Sequence, residues 1–361
     1  MRQTWCEISL ENVTHNVSTL AAHVGPTPLC AVVKANGYGH GSVEVANAVL
    51  AAGASWLAVG IVEEGVELRA AGINAPILVL SEQHSSSSRA LLDAGLTPTV
   101  YTLDGVAALD EAAEGMGPVR VHVGLDTGMR RVGVEPDSVD DFLAAIAASK
   151  NLHAEAAWTH CPVADEPDND FTEAQLARFD MATRPSALPT HVANSAAAIT
   201  RPERVAFMVR CGISVYGIDP DVALSGMADL RPALTLRSEV SFVKPIEAGE
   251  AVGYGHRWRA SESTTIATVP IGYGDGVRRD LGLRGGEVLI GGRRHPIVGV
   301  VTMDQLMVDV GAHAVAVGDE VVLIGSQGDE EITATQVATT LDTIPYEVVC
   351  AIGPRVPRRY S

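Results

Sequence analysis

A lysine stands where an apolar run ends. In LCAVVKANGYGHG (29–41), the stretch Leu-Cys-Ala-Val-Val closes abruptly on Lys34. Of 26 basic residues only Lys34, Lys150 and Lys244 are lysine; the rest are arginine. A chain that nearly always chooses arginine has kept a primary amine at the tip of a buried strand. An amine condenses with carbonyl carbon, whereas a guanidinium does not. A snorkelling lysine at a strand end is the plain alternative. Two later segments bear on the choice. In HVANSAAA (191–198) Ser195 opens a helix, and in RCGIS (210–214) Gly212 permits close backbone approach. Free N–H groups at such starts bind anions. Each motif alone is weak, since Asn-Ser is also an ordinary helix cap. Together with the amine they outline a phosphorylated cofactor whose reactive carbon faces a lysine. Pyridoxal phosphate fits that description.

These groups need a scaffold that brings them to one face. From about residue 28 to 217 short β-rich runs alternate with helix-like stretches. The runs are LCAVVKA (29–35), WLAVG (56–60), PILVL (76–80), TPTVY (97–101), VRVHVGLD (119–126), HAEAAWTH (153–160), THVAN (190–194) and RVAFMVRCG (204–212). GSVEVANAVLAAG (41–53) and PDSVDDFLAAIAAS (136–149) carry apolar residues at helical spacing. Ser42 reads as the N-cap of the first and Gly53 as its stop. Eight strands alternating with helices predict a (β/α)8 TIM-like barrel, with a doubly wound sheet as the alternative. Lys34 then lies at the C-terminal end of strand 1, the face where barrel enzymes place their sites.

After about residue 230 short strand candidates alternate with Gly- and Pro-bearing turns: LRSEVSFVKPI, AVGYG, STTIATVPIGYGDG, GEVLIGGRRHPIVGV, LMVDV and DEVVLIG. They predict a mostly β C-terminal domain with one helix, TATQVATTLD (333–342). The expected division is a barrel over residues 1–230 and a β domain over 231–361. Residues 1–10 include a strand-like Thr4–Leu10, a candidate for pairing with the C-terminal domain.

The 361 residues carry a net charge of −18, which argues against a nucleic-acid or anionic-membrane partner. The five cysteines are scattered, with no C-x-x-C pair, so neither a zinc site nor a disulfide framework is indicated. The start, MRQTWCEISL, has no signal-peptide apolar core, and no run is long enough to span a membrane. A soluble cytoplasmic protein without a metal is the expectation.

Nine segments, in order, resemble the alanine racemase family of fold-type III pyridoxal-phosphate enzymes. They are AVVKANGYGHG (31–41), LDTGMRRVG (125–133), THCPVADE (159–166), ANSAA (193–197), RCGISVYG (210–217), VGYGH (252–256), IGYGDG (271–276), TMDQLMVDV (302–310) and YEVVCAIGPRVPRRY (346–360). The match runs nearly end to end. The resemblance implies that Lys34 holds pyridoxal 5'-phosphate and acts as base on one face of the substrate. It implies that Tyr254 is the base on the other face, supplied by a second subunit of a homodimer. A phenol's unperturbed pKa of about 10 makes it a poor base at neutral pH, so it needs hydrogen-bonding support. His160 and Arg210 resemble that support. Arg210 has a further implied role against the pyridine nitrogen, as a donor that keeps it unprotonated and weakens the electron sink. Tyr38, Ser195, Tyr346 and the backbone of Gly212 and Ile213 would hold the phosphate. Arg131 and the Met303 N–H would take the substrate carboxylate. Asp304 lies beside Met303, and Tyr273 would narrow the mouth to small side chains. The implied activity is interconversion of L- and D-alanine, supplying D-alanine for peptidoglycan in a bacterium.

One position departs from the pattern. Many relatives carry a carbamylated lysine where this chain has Gly124, and its charge steadies the arginine matching Arg131. Here a small anion, water or a nearby carboxylate would have to do so, and an anion is the expectation because an unpaired buried guanidinium is costly. The alternatives are a serine or broad-specificity racemase, a basic-amino-acid decarboxylase of the same architecture, and a degenerate homologue or carrier that binds cofactor without turnover. Arg210 speaks against the decarboxylase, and the β domain and Tyr254 speak against the carrier.

Overall fold

The computed structural model describes residues 3–204 and 206–361. The chain divides into two compact units. One comprises Asn12–Gly37 and Ser42–Arg231; the other comprises the chain up to Glu11, Tyr38–Gly41 and Pro232–Ser361. The first strand, β1 (Thr4–Ile8), belongs to the second unit, and helix α1 (Leu10–Val24) leads from it into the first.

The first unit is a parallel barrel. Its strands are β2 (Leu29–Val32), β3 (Trp56–Val59), β4 (Ile77–Val79), β5 (Thr97–Val100), β6 (Val119–Gly124), β7 (Leu152–Trp158), β8 (Thr190–His191) and β9 (Val209–Cys211). They pair in the order β8-β7-β6-β5-β4-β3-β2-β9, all in parallel. Leu29–Val32 and Ile77–Val79 are buried throughout, as expected of strands covered on both faces. The helices between them include α2 (Ser42–Ala51), α3 (Val62–Ala70), α4 (Ser88–Asp93), α5 (Leu103–Ala112), α6 (Val139–Ala148), α7 (Phe171–Thr183) and α8 (Ser195–Thr200). The expected (β/α)8 barrel and mostly β C-terminal domain are both present.

Several local expectations need correction. Strand β2 stops at Val32, so Lys34 lies beyond it rather than within it. The cause is backbone: Ala35, Asn36, Gly37 and Tyr38 all take left-handed dihedrals, with φ of 52, 54, 59 and 51°. Ser42 does not cap α2. The helix begins at Ser42 itself, its Oγ is buried without a partner, and its N–H donates to Asn36 Oδ1 at 3.1 Å. The C-terminal unit holds a second helix, α10 (Pro345–Cys350), where none was expected. Pro345 sits in its first turn, where the missing N–H costs nothing.

The second unit is built on three sheets. A seven-stranded sheet contains β16 (Arg293–Pro296), β15 (Glu287–Ile290), β18 (Glu320–Gln327), β10 (Leu234–Glu239), β1 and β20 (Arg358–Tyr360), with β19 (Glu330–Ile332) on β18. β1 runs antiparallel to β10 and parallel to β20. The alternating burial of Leu234–Glu239 contrasts with the barrel strands and marks a sheet covered on one face. A three-stranded sheet joins β11 (Phe242–Ile246), β14 (Thr264–Val269) and β17 (Leu306–Asp309). A short ribbon joins β12 (Ala251–Val252) and β13 (Trp258–Arg259). Thr333 caps α9 (Ala334–Leu341) by accepting from the Gln336 N–H. Among the described residues no helix is long and apolar enough to cross a membrane.

The GYGHG motif is explained in this unit. Gly39 has φ +80°, and a Cβ there would collide with the Val349 carbonyl. Gly41 has φ +102° and meets the Tyr360 hydroxyl in the same way. Arg358 fixes the approach, donating to the carbonyls of Gly39, Gly353, Val356 and Ile352. Gly39→Ala is therefore expected to cost about 1–3 kcal/mol. Urea unfolding of the variant checks this, and an unchanged midpoint would contradict the clash.

Candidate active site

In the barrel unit the expected residues lie past or at the C-terminal ends of β2, β6, β7, β8 and β9. Lys34 is partly buried, and its arm runs beside Gly60: a Cβ there would stand 3.6 Å from Lys34 Cδ. The turn behind it is braced by Glu64, whose carboxylate accepts from the N–H groups of Ala35 at 2.6 Å, Gly60 at 2.8 Å and Ile61 at 3.3 Å.

The loop carrying Arg131 is ordered by Asp126, which accepts from the N–H groups of Gly128 and Arg130, both at 3.0 Å. The side chain of Arg131 is exposed rather than buried, so the burial cost that argued for an anion does not apply to it, and among the described residues it forms no ion pair. Its neighbour Arg130 pairs with Glu135. Among the described residues no carboxylate pairs with Arg131 in place of that lysine.

Arg210 is 4% exposed. Its NH1 donates to His191 Nδ1 at 2.7 Å and to the His191 carbonyl at 2.8 Å; its NH2 donates to the carbonyl of Thr159 at 2.8 Å. The guanidinium also lies over the Trp158 ring, 4.8 Å from its centroid. Among the described residues no carboxylate touches it. Burial pulls its pKa down to about 10, which still leaves it charged at neutral pH. His160 is pulled down to about 3, first by burial and then by the charges of Arg210, Arg131 and Lys34. Its imidazole is therefore neutral and can donate without adding charge.

Ser195 and Gly212, assigned to one anion, are brought together: the Gly212 N–H donates to Ser195 Oγ at 2.9 Å. Asn194, not Ser195, caps α8, accepting from the Ala197 N–H. The Ser195 hydroxyl is thereby left for other work. Ile213 opens the 3₁₀ turn Ile213–Tyr216, whose first N–H groups have no acceptor within the turn.

In the other unit Tyr38 and Tyr346, both expected at the phosphate, lie with ring centroids 6.0 Å apart. Tyr254 stands in the turn Tyr254–His256 and is 72% exposed. Tyr273 and Met303 are exposed as well, on two loops tied together by Tyr273 N–H to Thr302 and Gly274 N–H to Met303, each at 2.9 Å. The Met303 N–H has no acceptor among the described residues, as a donor kept for a ligand requires. Arg355 clamps the same two loops, donating to Asp304 at 2.6 Å and pairing with Asp275 at 3.3 Å.

Glu64 and Arg355 were not singled out from the sequence, and neither were His122 and His191 behind Arg210. Arg355 lies in a quoted motif, GPRVPRRY, but its partners are more than 50 positions away. Glu64 carries no signal that separates it from Glu63.

Fold and site define a barrel enzyme with an amine, a buried guanidinium and a serine hydroxyl paired with a backbone N–H at the C-terminal ends of its strands. Comparison narrows the class. The alanine racemase N-terminal domain profile matches residues 8–220, and the C-terminal domain profile matches 233–360. The chain belongs to the alanine racemase family. An alanine racemase of Symbiobacterium thermophilum is 46% identical, covering 100% of this chain and 98% of its own length. One of Cutibacterium acnes is 42% identical, with 97% and 96% covered. The crystal structure of alanine racemase from E. faecalis superposes with a TM-score of 0.94 at 39% identity, covering 100% of this chain and 98% of that one.

Buried neutral histidines set a pH dependence. Burial holds His122, His160 and His191 below the ordinary value of 6.5, so the unfolded chain takes up protons first on acidification. The stability they support is complete above about pH 6.5 and is lost as pH falls through the folded values, about 3 for His160. Urea midpoints should fall across that window, less steeply in His160→Gln. Equal slopes in the two proteins would contradict the assignment for His160.

Proposed function

We propose that the protein interconverts L- and D-alanine with pyridoxal 5'-phosphate, using Lys34 and Tyr254 as bases on opposite faces of the substrate. The observation that carries this reading is Arg210: a buried guanidinium, its partners all neutral acceptors, where a decarboxylase of this architecture would want an acid. The donor set suits the cofactor. Lys34 supplies the amine. Ser195 Oγ and the Gly212 N–H already meet at 2.9 Å, a pair that a phosphate oxygen can take over; the family resemblance adds Ile213, Tyr38 and Tyr346 as further phosphate partners. When bound, pyridoxal phosphate supplies the ring that makes the substrate α-proton removable.

The chain's own groups do the rest. Arg131 and the Met303 N–H bind the amino-acid carboxylate and fix which faces of Cα the two bases meet. Lys34 takes or returns the proton on one face, and the Tyr254 phenol does so on the other. A single base would have to cross the plane between abstraction and return; two bases need not move. Neutral His160 and charged Arg210 supply hydrogen bonding and positive charge that favour a phenolate. Arg355, through Asp304 and Asp275, holds the Met303 and Tyr273 loops in register. The high exposure of Tyr254 on its own unit suits a residue offered to a second copy, so the working form is a homodimer. The five free cysteines suit a reducing cytoplasm, and D-alanine for peptidoglycan is the product's destination.

At Gly124 we infer a bound small anion. Tyr101, Gly124, Arg131, Trp158 and His160 line a cavity of about 10 Å³, and Trp158 Nε1 is buried there without a hydrogen-bond partner. An indole N–H and a guanidinium are both donors, so a halide suits the space better than a cation. Halide-free buffer should weaken substrate binding and lower activity; unchanged KM and rate would remove the anion from the account.

The test of the function is α-proton exchange. Holoenzyme with L-alanine in D2O should lose the α-proton signal while D-alanine appears by chiral detection. Exchange without D-alanine would show one base working alone and overturn the pair. Neither signal would overturn alanine as substrate, with L-serine next. Tyr254→Phe should slow racemisation by about 100-fold or more while leaving the cofactor bound.

A further inference from the structure

Arg210 is buried and charged, and among the described residues no carboxylate touches it. The barrel interior nonetheless links it to one. His191 Nε2 lies 3.0 Å from His122 Nδ1, and His122 Nε2 lies 3.3 Å from Glu155 Oε2. Both rings have no exposed surface. Glu155 stands at the outer end, where its other oxygen takes Arg120 NH1 at 3.0 Å.

The chemistry of the two ends allows one arrangement of protons. A guanidinium only donates, so His191 Nδ1 must be bare. A neutral ring then carries its proton on Nε2, which donates to His122 Nδ1. That nitrogen must also be bare, so the His122 proton sits on Nε2 and points at the carboxylate, which only accepts. Each ring nitrogen has one role, and all three links point the same way, from Arg210 to Glu155. We propose that Glu155 is a positioning residue for Arg210, acting through this one-way chain of two neutral imidazoles. The inference rests on the proposed place of Arg210 at the cofactor ring.

The surroundings agree. Burial holds both histidines below their ordinary range, and the hydrogen bond from His122 holds Glu155 below the usual carboxylate range. A proton added to either ring would set N–H against N–H or place a second cation beside Arg210. The planes are fixed too: the Trp158 ring stacks on His191 at 6.1 Å with 15° between them, and its face carries the Arg210 guanidinium. The Arg210–His191 link is thus held by packing on one side and by proton order on the other. Without an acceptor at the outer end, His122 can move its proton to Nδ1, His191 must follow, and Arg210 NH1 meets an N–H.

The test compares Glu155→Leu, which removes the acceptor, with Glu155→Gln, which keeps one and removes only the charge. In 15N-labelled protein without cofactor, long-range ring spectra should show both His122 and His191 as neutral Nε2–H forms, assigned by their loss in His122→Gln and His191→Gln. In Glu155→Leu that order should be lost. Its kcat for alanine should fall several-fold with KM little changed, and Glu155→Gln should restore both. Wild-type tautomers and kcat in the Leu variant would overturn the proposal. So would a Gln variant as impaired as the Leu variant, because a purely structural or charge role would then suffice. Wild-type protein that shows the ordered tautomers but does not racemise alanine would refute the proposed function and leave the chain standing.

Discussion

Ala35, Asn36 and Tyr38 hold a left-handed backbone, each at a cost of about 1–2 kcal/mol relative to ordinary conformations. Such a turn persists only where its surroundings over-determine it. Glu64 takes the Ala35 N–H, Asn36 Oδ1 takes the Ser42 N–H, and the Gly37 N–H returns to the Val33 carbonyl. On the far side His40 Nδ1 meets the Tyr38 carbonyl and Arg358 holds that of Gly39. The gain is placement. β2 ends at Val32, and the chain turns within two residues, which sets Lys34 just past the strand tip.

The second constraint is electrostatic. The barrel unit gathers Lys34, Arg131 and Arg210, in a protein whose net charge is −18. Their combined effect is visible on His160, which all three depress after burial has done most of it. An anionic ligand meets a local positive field that the overall charge would never suggest. Because Arg210 is served by carbonyls and a neutral imidazole rather than a carboxylate, its charge is not cancelled where a ligand would sense it.

Much of this was legible in the sequence, for physical reasons. All eight barrel strands were found in order, because short β-rich runs such as Leu29–Val32 and Ile77–Val79, buried on both faces, alternate with helix-like stretches. The reactive groups were legible where a residue type was odd for its place, as Lys34 is. What escaped was set by partners far along the chain. Glu64 acts on the Ala35 backbone 29 positions away, and Arg355 on the carboxylates of Asp304 and Asp275, about 50 and 80 positions away. His122 and His191 look like ordinary strand residues until the barrel closes them to 3.0 Å. The end of β2 was placed too late because nothing in LCAVVKA marks that Ala35 and Asn36, neither of them glycine, take a left-handed backbone. The helix at Pro345 was hidden within a motif read for its tyrosine.

If the left-handed turn presents Lys34, and only Lys34, as the cofactor amine, labelling will find the cofactor on no other residue. The chain offers just three lysines, so mapping separates them cleanly. The protein is loaded with pyridoxal phosphate, reduced with borohydride, digested and examined by mass spectrometry. The phosphopyridoxyl group is expected on the peptide carrying Lys34. The group on Lys150 or Lys244, or on no lysine at all, would contradict it.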